Sequence, residues 1–149
     1  LHEVIAHNGA HPRQTTKLLR KLAGFYRKPW LLSQRNFKGD IEKYCGQLAI
    51  EPRGIADTLK LSVVIEQMGE ERCLSMNTGF VVAIIYMAIQ CRNYSYRTQR
   101  ELSDVSGITE VTLRSNFKAI CENMDICRDS LKNGAYSIED IVSGAYKNE

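Results

Sequence analysis

Proline is scarce in this chain, with three residues in 149, and glycine is modest at 10. So little of either excludes a fibrous or low-complexity chain. Long apolar runs are missing too. The longest, Phe80 to Ile89, has ten residues, where a membrane-crossing helix needs about 20. No signal-peptide pattern opens the chain. The first residue is Leu1, not Met, so a fragment of a longer protein is expected. No cysteine pair has CxxC spacing, and the odd total of five argues against a disulfide framework. A reducing intracellular compartment is expected. Cys45 and Cys91 fall inside apolar helical patterns and read as small core hydrophobes.

Catalytic constellations are also lacking. The histidines are confined to His2, His7 and His11, and only Glu3 lies near enough to help them hold a metal, so no zinc site is assigned. Every histidine precedes every cysteine, so no Cys/His or Ser/His/Asp order emerges. Glu70 and Glu71 sit in a charged turn, and there is no glycine-rich phosphate loop. The expectation is a protein that is not an enzyme, with no cofactor, no small-molecule substrate and no membrane partner.

Acid is nearly absent from one end. Residues 1–38 hold eight of the 20 basic residues and a single acid, Glu3, for a net +7. The remaining 111 residues hold 12 basic and 16 acidic groups, for −4. Such asymmetry suits a polyanion partner. A solvated helix face followed by a basic linker is the plainer alternative.

What is present is helical periodicity. Leu18, Leu19, Leu22, Phe25 and Tyr26 share a stripe over 12–26, with Pro12 suited to a first helical position. Residues 28–37 break at Pro29 and read as a linker. Ile41, Tyr44, Cys45 and Leu48 form the next stripe, and Ile55, Leu59, Val63 and Met68 another, ended by a turn at 69–72. Residues 78–91 are apolar nearly all round, which marks a central helix wrapped by others. Thr98 and Glu101 form a capping box. A short helix then runs to about Ser106, Gly107 permits a left-handed turn, and Thr109 can cap a second helix from Glu110 to about Cys121. Val111 and Arg114 fall on its exposed early turns. Helix, glycine turn, helix is the pattern of a helix-turn-helix. Ser137 and Asp140 form another capping box, and a short helix is expected after it.

A degraded copy of the helix-turn-helix precedes it. Laying Glu3 on Glu101 also places Val4 on Leu102, Asn8 on Ser106, Gly9 on Gly107, Arg20 on Lys118 and Leu22 on Ile120. Two similar helical units in tandem would give this pattern, as would coincidence between two amphipathic hairpins.

The segments YCGQLAI (44–50), TGFVVAIIYMA (78–88) and RTQRELSDVSGITEVTLRSNFK (97–118) resemble the second cyclin-like repeat of transcription factor IIB. Residues 1–27 look like the end of the first repeat, 28–37 like the linker, 38–127 like the second repeat, and 128–149 would be a C-terminal extension. About 125 of the 149 residues are covered. The departures are Met76-Asn77-Thr78, where the family has a Pro-x-Ser cap, and the bulky Val81, Val82 and Ile84, where small residues are common. They suggest a repacked core and a divergent eukaryotic member.

The resemblance implies an all-α fold: a cyclin-like five-helix repeat ending in a helix-turn-helix and preceded by the end of another repeat. It implies a nuclear general initiation factor that binds TATA-binding protein and promoter DNA and bridges them to RNA polymerase, nominally polymerase II. Val111 and Arg114 would read the element flanking the TATA box, Val on a thymine methyl and Arg on a guanine edge. An ion pair with Glu110 is the alternative for Arg114. Arg97, Arg100 and Lys118 would touch phosphate, as would Arg13 and Lys17 from the partial first repeat. Arg20, Lys21, Arg27 and Lys28 would meet phosphate or an acidic protein partner. Two alternatives remain: a kinase-binding cyclin, which would share the fold but would not need the capped helix-turn-helix with an exposed arginine or the +7 segment, and the equivalent factor of RNA polymerase III or of an archaeon or virus, which would share the mechanism.

Overall fold

The structure, a computed structural model, describes residues 37–71, 77–92 and 96–145. The readings made above for residues 1–36, including the partial first repeat, the linker and the basic segment, lie outside the described residues. The described residues belong to a unit that starts at Phe37. They form seven helices and no strand: α1 (Phe37–Gln47), α2 (Pro52–Glu71), α3 (Thr78–Arg92), α4 (Gln99–Ser106), α5 (Glu110–Met124), α6 (Arg128–Lys132) and α7 (Ile138–Ser143). The all-helical expectation holds, and five of these helices span 37–124, consistent with a cyclin-like arrangement.

Helix α3 is the axis of the fold. Every residue from Gly79 to Ile89 is buried, because apolar side chains all round the helix leave no face to turn to water. Val81, Val82 and Ile84, where bulk was noted, are each completely buried. Helices α1, α2, α4, α5, α6 and α7 all pack against α3. Its N-terminus is capped by Asn77, whose Oδ1 accepts from the Phe80 amide at 3.1 Å. Asn77 thus supplies the side-chain acceptor that satisfies one of the orphan amides at this helix start.

Helix α1 buries Phe37, Ile41, Tyr44 and Cys45, a three-to-four-residue stripe that matches expectation. Its end is built without glycine: Ala49 takes φ 50, while the Ile50 amide donates to the Cys45 carbonyl at 2.9 Å. Helix α5 ends the same way, with Asp125 at φ 58 and the Ile126 amide on the Cys121 carbonyl at 2.9 Å. In both, the residue after the left-handed position is a buried isoleucine. Its burial locks the turn, and that anchoring offsets the roughly 1–2 kcal/mol that a left-handed non-glycine residue costs.

Helix α2 corrects the sequence reading twice. Gly69 does not end it, since the helix continues to Glu71. Val63 was placed on the buried stripe but is 54% exposed. The buried face is instead Gly54, Asp57, Thr58, Leu61, Ser62 and Ile65. A strict four-residue spacing from Ile55 drifts about 40° per step off a 3.6-residue turn, so by Val63 it has left the core. The small polar residues on the true face hid it. Two of them turn their hydroxyls onto the helix itself: Thr58 Oγ1 donates to the Gly54 carbonyl at 2.7 Å, and Ser62 Oγ to the Leu59 carbonyl at 2.8 Å.

The segment expected as an extension is packed into the same core. Leu131, Ile138 and Ile141 are buried, and α7 packs on α2 and α3. The capping box at its start forms, with the Asp140 amide donating to Ser137 Oγ at 3.1 Å and the Ser137 amide to Asp140 Oδ2 at 3.0 Å. The cysteines behave as read: Cys45 is buried and Cys91 partly so. Burial pushes the thiols of Cys45 and Cys121 up to about 11, so both stay protonated and unreactive at neutral pH.

Val82 lies within the buried stretch Gly79–Ile89 of α3. Val82→Asp places an unpaired carboxylate there at a cost of several kcal/mol, against a total stability of roughly 5–15 kcal/mol. The expected outcome is loss of the helical circular-dichroism signal and of any cooperative melt. A near-native melting temperature would contradict this placement of the core.

Candidate nucleic-acid interface

The pair α4 and α5 is set by its caps. Thr98 Oγ1 accepts from the Glu101 amide at 3.2 Å, and Glu101 Oε2 accepts from the Thr98 amide at 2.7 Å. The Thr98 amide and hydroxyl, both donating to Glu101 Oε2, hold the Glu101 carboxyl below its usual range, with nearby Arg97 adding to the effect. Gly107 takes φ 73 and its amide reaches back to the Ser103 carbonyl. This left-handed turn aims the chain from one helix into the next. Thr109 Oγ1 then accepts from the Thr112 amide at 3.1 Å and starts α5.

Tyr86 of α3 fixes both helices from beneath. Its ring meets Phe117 of α5 edge-on, with centroids 5.0 Å apart and planes at 82°. Its hydroxyl accepts from Gln99 Nε2 at the start of α4, at 3.1 Å. Leu113, Phe117, Ile120 and Cys121 bury the underside of α5. The opposite side of its first turns is left in solvent.

Val111 and Arg114 both project from those first turns. Val111 is 69% exposed, a large apolar side chain held in water. The Arg114 side chain is 58% exposed. It is folded back along the helix: its Nε donates to the Glu110 carbonyl at 3.2 Å, and its Nη2 lies 3.8 Å from Glu110 Oε2. Lys118 lies 3.5 Å from Glu122, and Arg100 lies 4.0 Å from Asp104. Each basic residue thus pairs with an acid four residues away on its own helix. Exposed pairs of this kind contribute about 0.3–0.5 kcal/mol, so all three cations can change partners at little cost.

Arg97 is placed differently. It is half-buried, and its Nε donates to the Leu48 carbonyl at the end of α1, at 2.9 Å. A guanidinium on a helix C-terminal carbonyl is favoured by the helix dipole, so this arginine ties the start of α4 to α1. Arg13, Lys17, Arg20, Lys21, Arg27 and Lys28 lie outside the described residues. Among the described residues, no three His, Cys, Asp or Glu side chains group to hold a metal ion, and no helix is long and apolar enough to cross a membrane.

The sequence reading missed Gly79. A Cβ there would stand 2.5 Å from Asn116 Nδ2 and 3.1 Å from both Thr112 Cγ2 and Asn77 Oδ1. Thr112 and Asn116 belong to α5, so this glycine sets how closely the start of α5 lies on α3. The available signal was an isolated glycine opening an otherwise apolar helix.

From Arg97 to Met124 the chain carries four basic residues (Arg97, Arg100, Arg114, Lys118) and four acids (Glu101, Asp104, Glu110, Glu122). The helix pair is electroneutral. The geometry offers a short exposed helix face, apolar at Val111 and hydrogen-bonding at Arg114, without a strong field of its own.

The chain is similar to curated proteins named transcription initiation factor IIB. It is 35% identical to that of Methanothrix thermoacetophila over 101 residues, which is 66% of this chain and 25% of the relative. It is 36% identical to that of Methanosarcina mazei over 90 residues, 58% of this chain and 25% of the relative. It is 40% identical to that of Methanococcus maripaludis strain C5 over 65 residues, 42% of this chain and 19% of the relative. The matches thus span a quarter or less of the relatives' length. No family model matches the chain, and no solved structure matches it significantly.

Gly79→Ala is expected to lower the melting temperature and to raise hydrogen exchange in the first turns of α5. Pairing it with Asn116→Ala, which removes the nearest obstacle, should recover part of the loss. An unchanged melting temperature in the single variant would mean that α5 does not rest on this glycine.

Proposed function

The chain belongs to the transcription initiation factor IIB family, and we propose that its α4–α5 pair is the helix-turn-helix by which it reads promoter DNA. Initiation factors are not enzymes, and a general role in transcription initiation is what the relatives' names carry. Beyond that, the reading is that the chain binds TATA-binding protein on promoter DNA and bridges both to RNA polymerase. The observation that carries the DNA part is the bare face of α5: Val111 is 69% exposed with no core to join, one turn from an arginine whose partners are the exposed Glu110 carboxylate and carbonyl of its own helix.

The chemistry follows from that face. The N-terminal turns of a second helix enter the major groove. Arg114 exchanges Glu110 for the O6 and N7 acceptors of guanine, and Val111 packs on a thymine methyl. Arg100 and Lys118 exchange their acids for phosphate. Arg97 keeps its carbonyl partner and contributes by holding α4 in place. Because α4–α5 is neutral, attraction to the polyanion falls to the +7 segment at 1–38, where Arg13 and Lys17 meet phosphate. Arg20, Lys21, Arg27 and Lys28 meet phosphate or an acidic face of TATA-binding protein. Affinity and sequence reading thus come from different parts of the chain.

The relatives named above are archaeal, which favours the archaeal equivalent over a dedicated RNA polymerase II factor. A nuclear location is therefore narrowed to a place at the chromosome. Nothing in the relatives' names favours a kinase-binding cyclin.

The test is a titration on promoter duplexes in the presence of TATA-binding protein. Arg114→Ala should cost about 1–3 kcal/mol on the preferred flank and much less on an altered one. Reversing Arg13 and Lys17 to Glu should weaken every duplex alike and lower the salt slope by about one per lost phosphate contact. Equal losses on both flanks would reduce Arg114 to a backbone contact. No loss on either would remove α5 from the DNA.

A further inference from the structure

Three helix starts in this unit use the same hydroxyl cap, and one of them departs from the others in where its acid points. In α4 and α7 the acid stands third in the helix and turns back to the capping amide, as Glu101 does to Thr98 and Asp140 to Ser137. In α5 the third position is Thr112, and its hydroxyl lies 2.9 Å from that of Thr109. The acid has moved to the first position, Glu110, and it reaches forward to Arg114. The cap of α5 is complete without it.

Glu110 therefore lies on the reading face. Its side chain is 43% exposed, it adjoins Val111, and it shares the face of Arg114 one turn on. Stability gives only a partial reason for an acid there, since the helix dipole favours an exposed first-turn carboxylate only weakly. On a surface that enters DNA, the same carboxylate faces phosphates and is repelled unless it finds a donor. The donors in the major groove are exocyclic amines, cytosine N4 and adenine N6. Four residues of helix rise about 6 Å, which reaches one or two base steps from the guanine taken by Arg114.

We propose that Glu110 is a second specificity-determining residue, whose carboxylate accepts a hydrogen bond from an exocyclic amine one or two base pairs from that guanine. The inference rests on the reading of α5 as the recognition helix. When Arg114 leaves for guanine, Glu110 is released and takes the amine as its new partner. On a duplex that offers no amine at that position, both charges lose: the arginine leaves a partner, and the carboxylate gains none. The pair then acts as one two-part reader.

The probe is a set of promoter duplexes in which single amines of the flank are deleted, with 2-pyrimidinone replacing cytosine or purine replacing adenine. Binding of the full chain with TATA-binding protein is measured for wild type, Glu110→Ala and Arg114→Ala. One deletion should cost the wild type about tenfold and cost Glu110→Ala less than twofold; whether it falls in the cytosine or the adenine set identifies the base. The Glu110→Ala melting temperature should stay within a few degrees of wild type, so that folding does not explain the result. If no deletion separates wild type from Glu110→Ala while Arg114→Ala still loses flank preference, the inference is overturned and the recognition helix stands. If Arg114→Ala loses nothing either, both fall together.

Discussion

Everything described here depends on the burial of α3. A helix apolar on all sides can reach a stable state only when other elements cover every face of it. Helices α1, α2 and α4 to α7 supply that cover, and the exposed first turns of α5 are part of what remains after they have done so. Tyr86 shows the link most directly. One end of its side chain packs on Phe117 and the other accepts from Gln99. A single residue of the central helix thereby fixes both α4 and α5. The exposed turns of α5 are held by a core and not by a loop, which is how a binding surface keeps its geometry before a partner arrives.

The electrostatics divide the chain. Within α4 and α5 the cations Arg100, Arg114 and Lys118 are each matched by an acid on the same helix. Such pairs contribute little to stability, and they keep the helix pair from attracting any polyanion at random. Residues 1–38, by contrast, carry a single acid, Glu3, against eight basic residues in their sequence. On the proposed DNA-binding reading this split separates two tasks, because non-specific attraction rises with net positive charge while discrimination rises with base contacts.

Much of this was legible in the sequence, and the reasons are local. The capping residues Thr98, Thr109 and Ser137 act within three or four residues, so their hydroxyls and acids could be paired on paper. Gly107 announced its left-handed turn, and the run from 80 to 89 announced its burial. The failures are where packing between helices decides. Val63 kept the spacing but not the face, because Thr58 and Ser62, buried with their hydroxyls spent on their own helix, carry no apolar signal. The hydrogen bond from Arg97 to the Leu48 carbonyl could not be read from the sequence, because the two residues lie 49 positions apart. Gly79 and Asn116 meet only once α5 is laid on α3. The left-handed Ala49 is legible only once Ile50 is seen to be buried.

On the proposed function, the first turns of α5 lie against bases beside the TATA box. A photo-crosslinking residue in place of Val111, in the full chain bound with TATA-binding protein to a promoter duplex, tests it at one atom's reach. Crosslinks are expected to bases on one side of the TATA box, at fixed positions, with their loss when TATA-binding protein is left out. Crosslinks to protein alone, or to DNA at no fixed position, would contradict it.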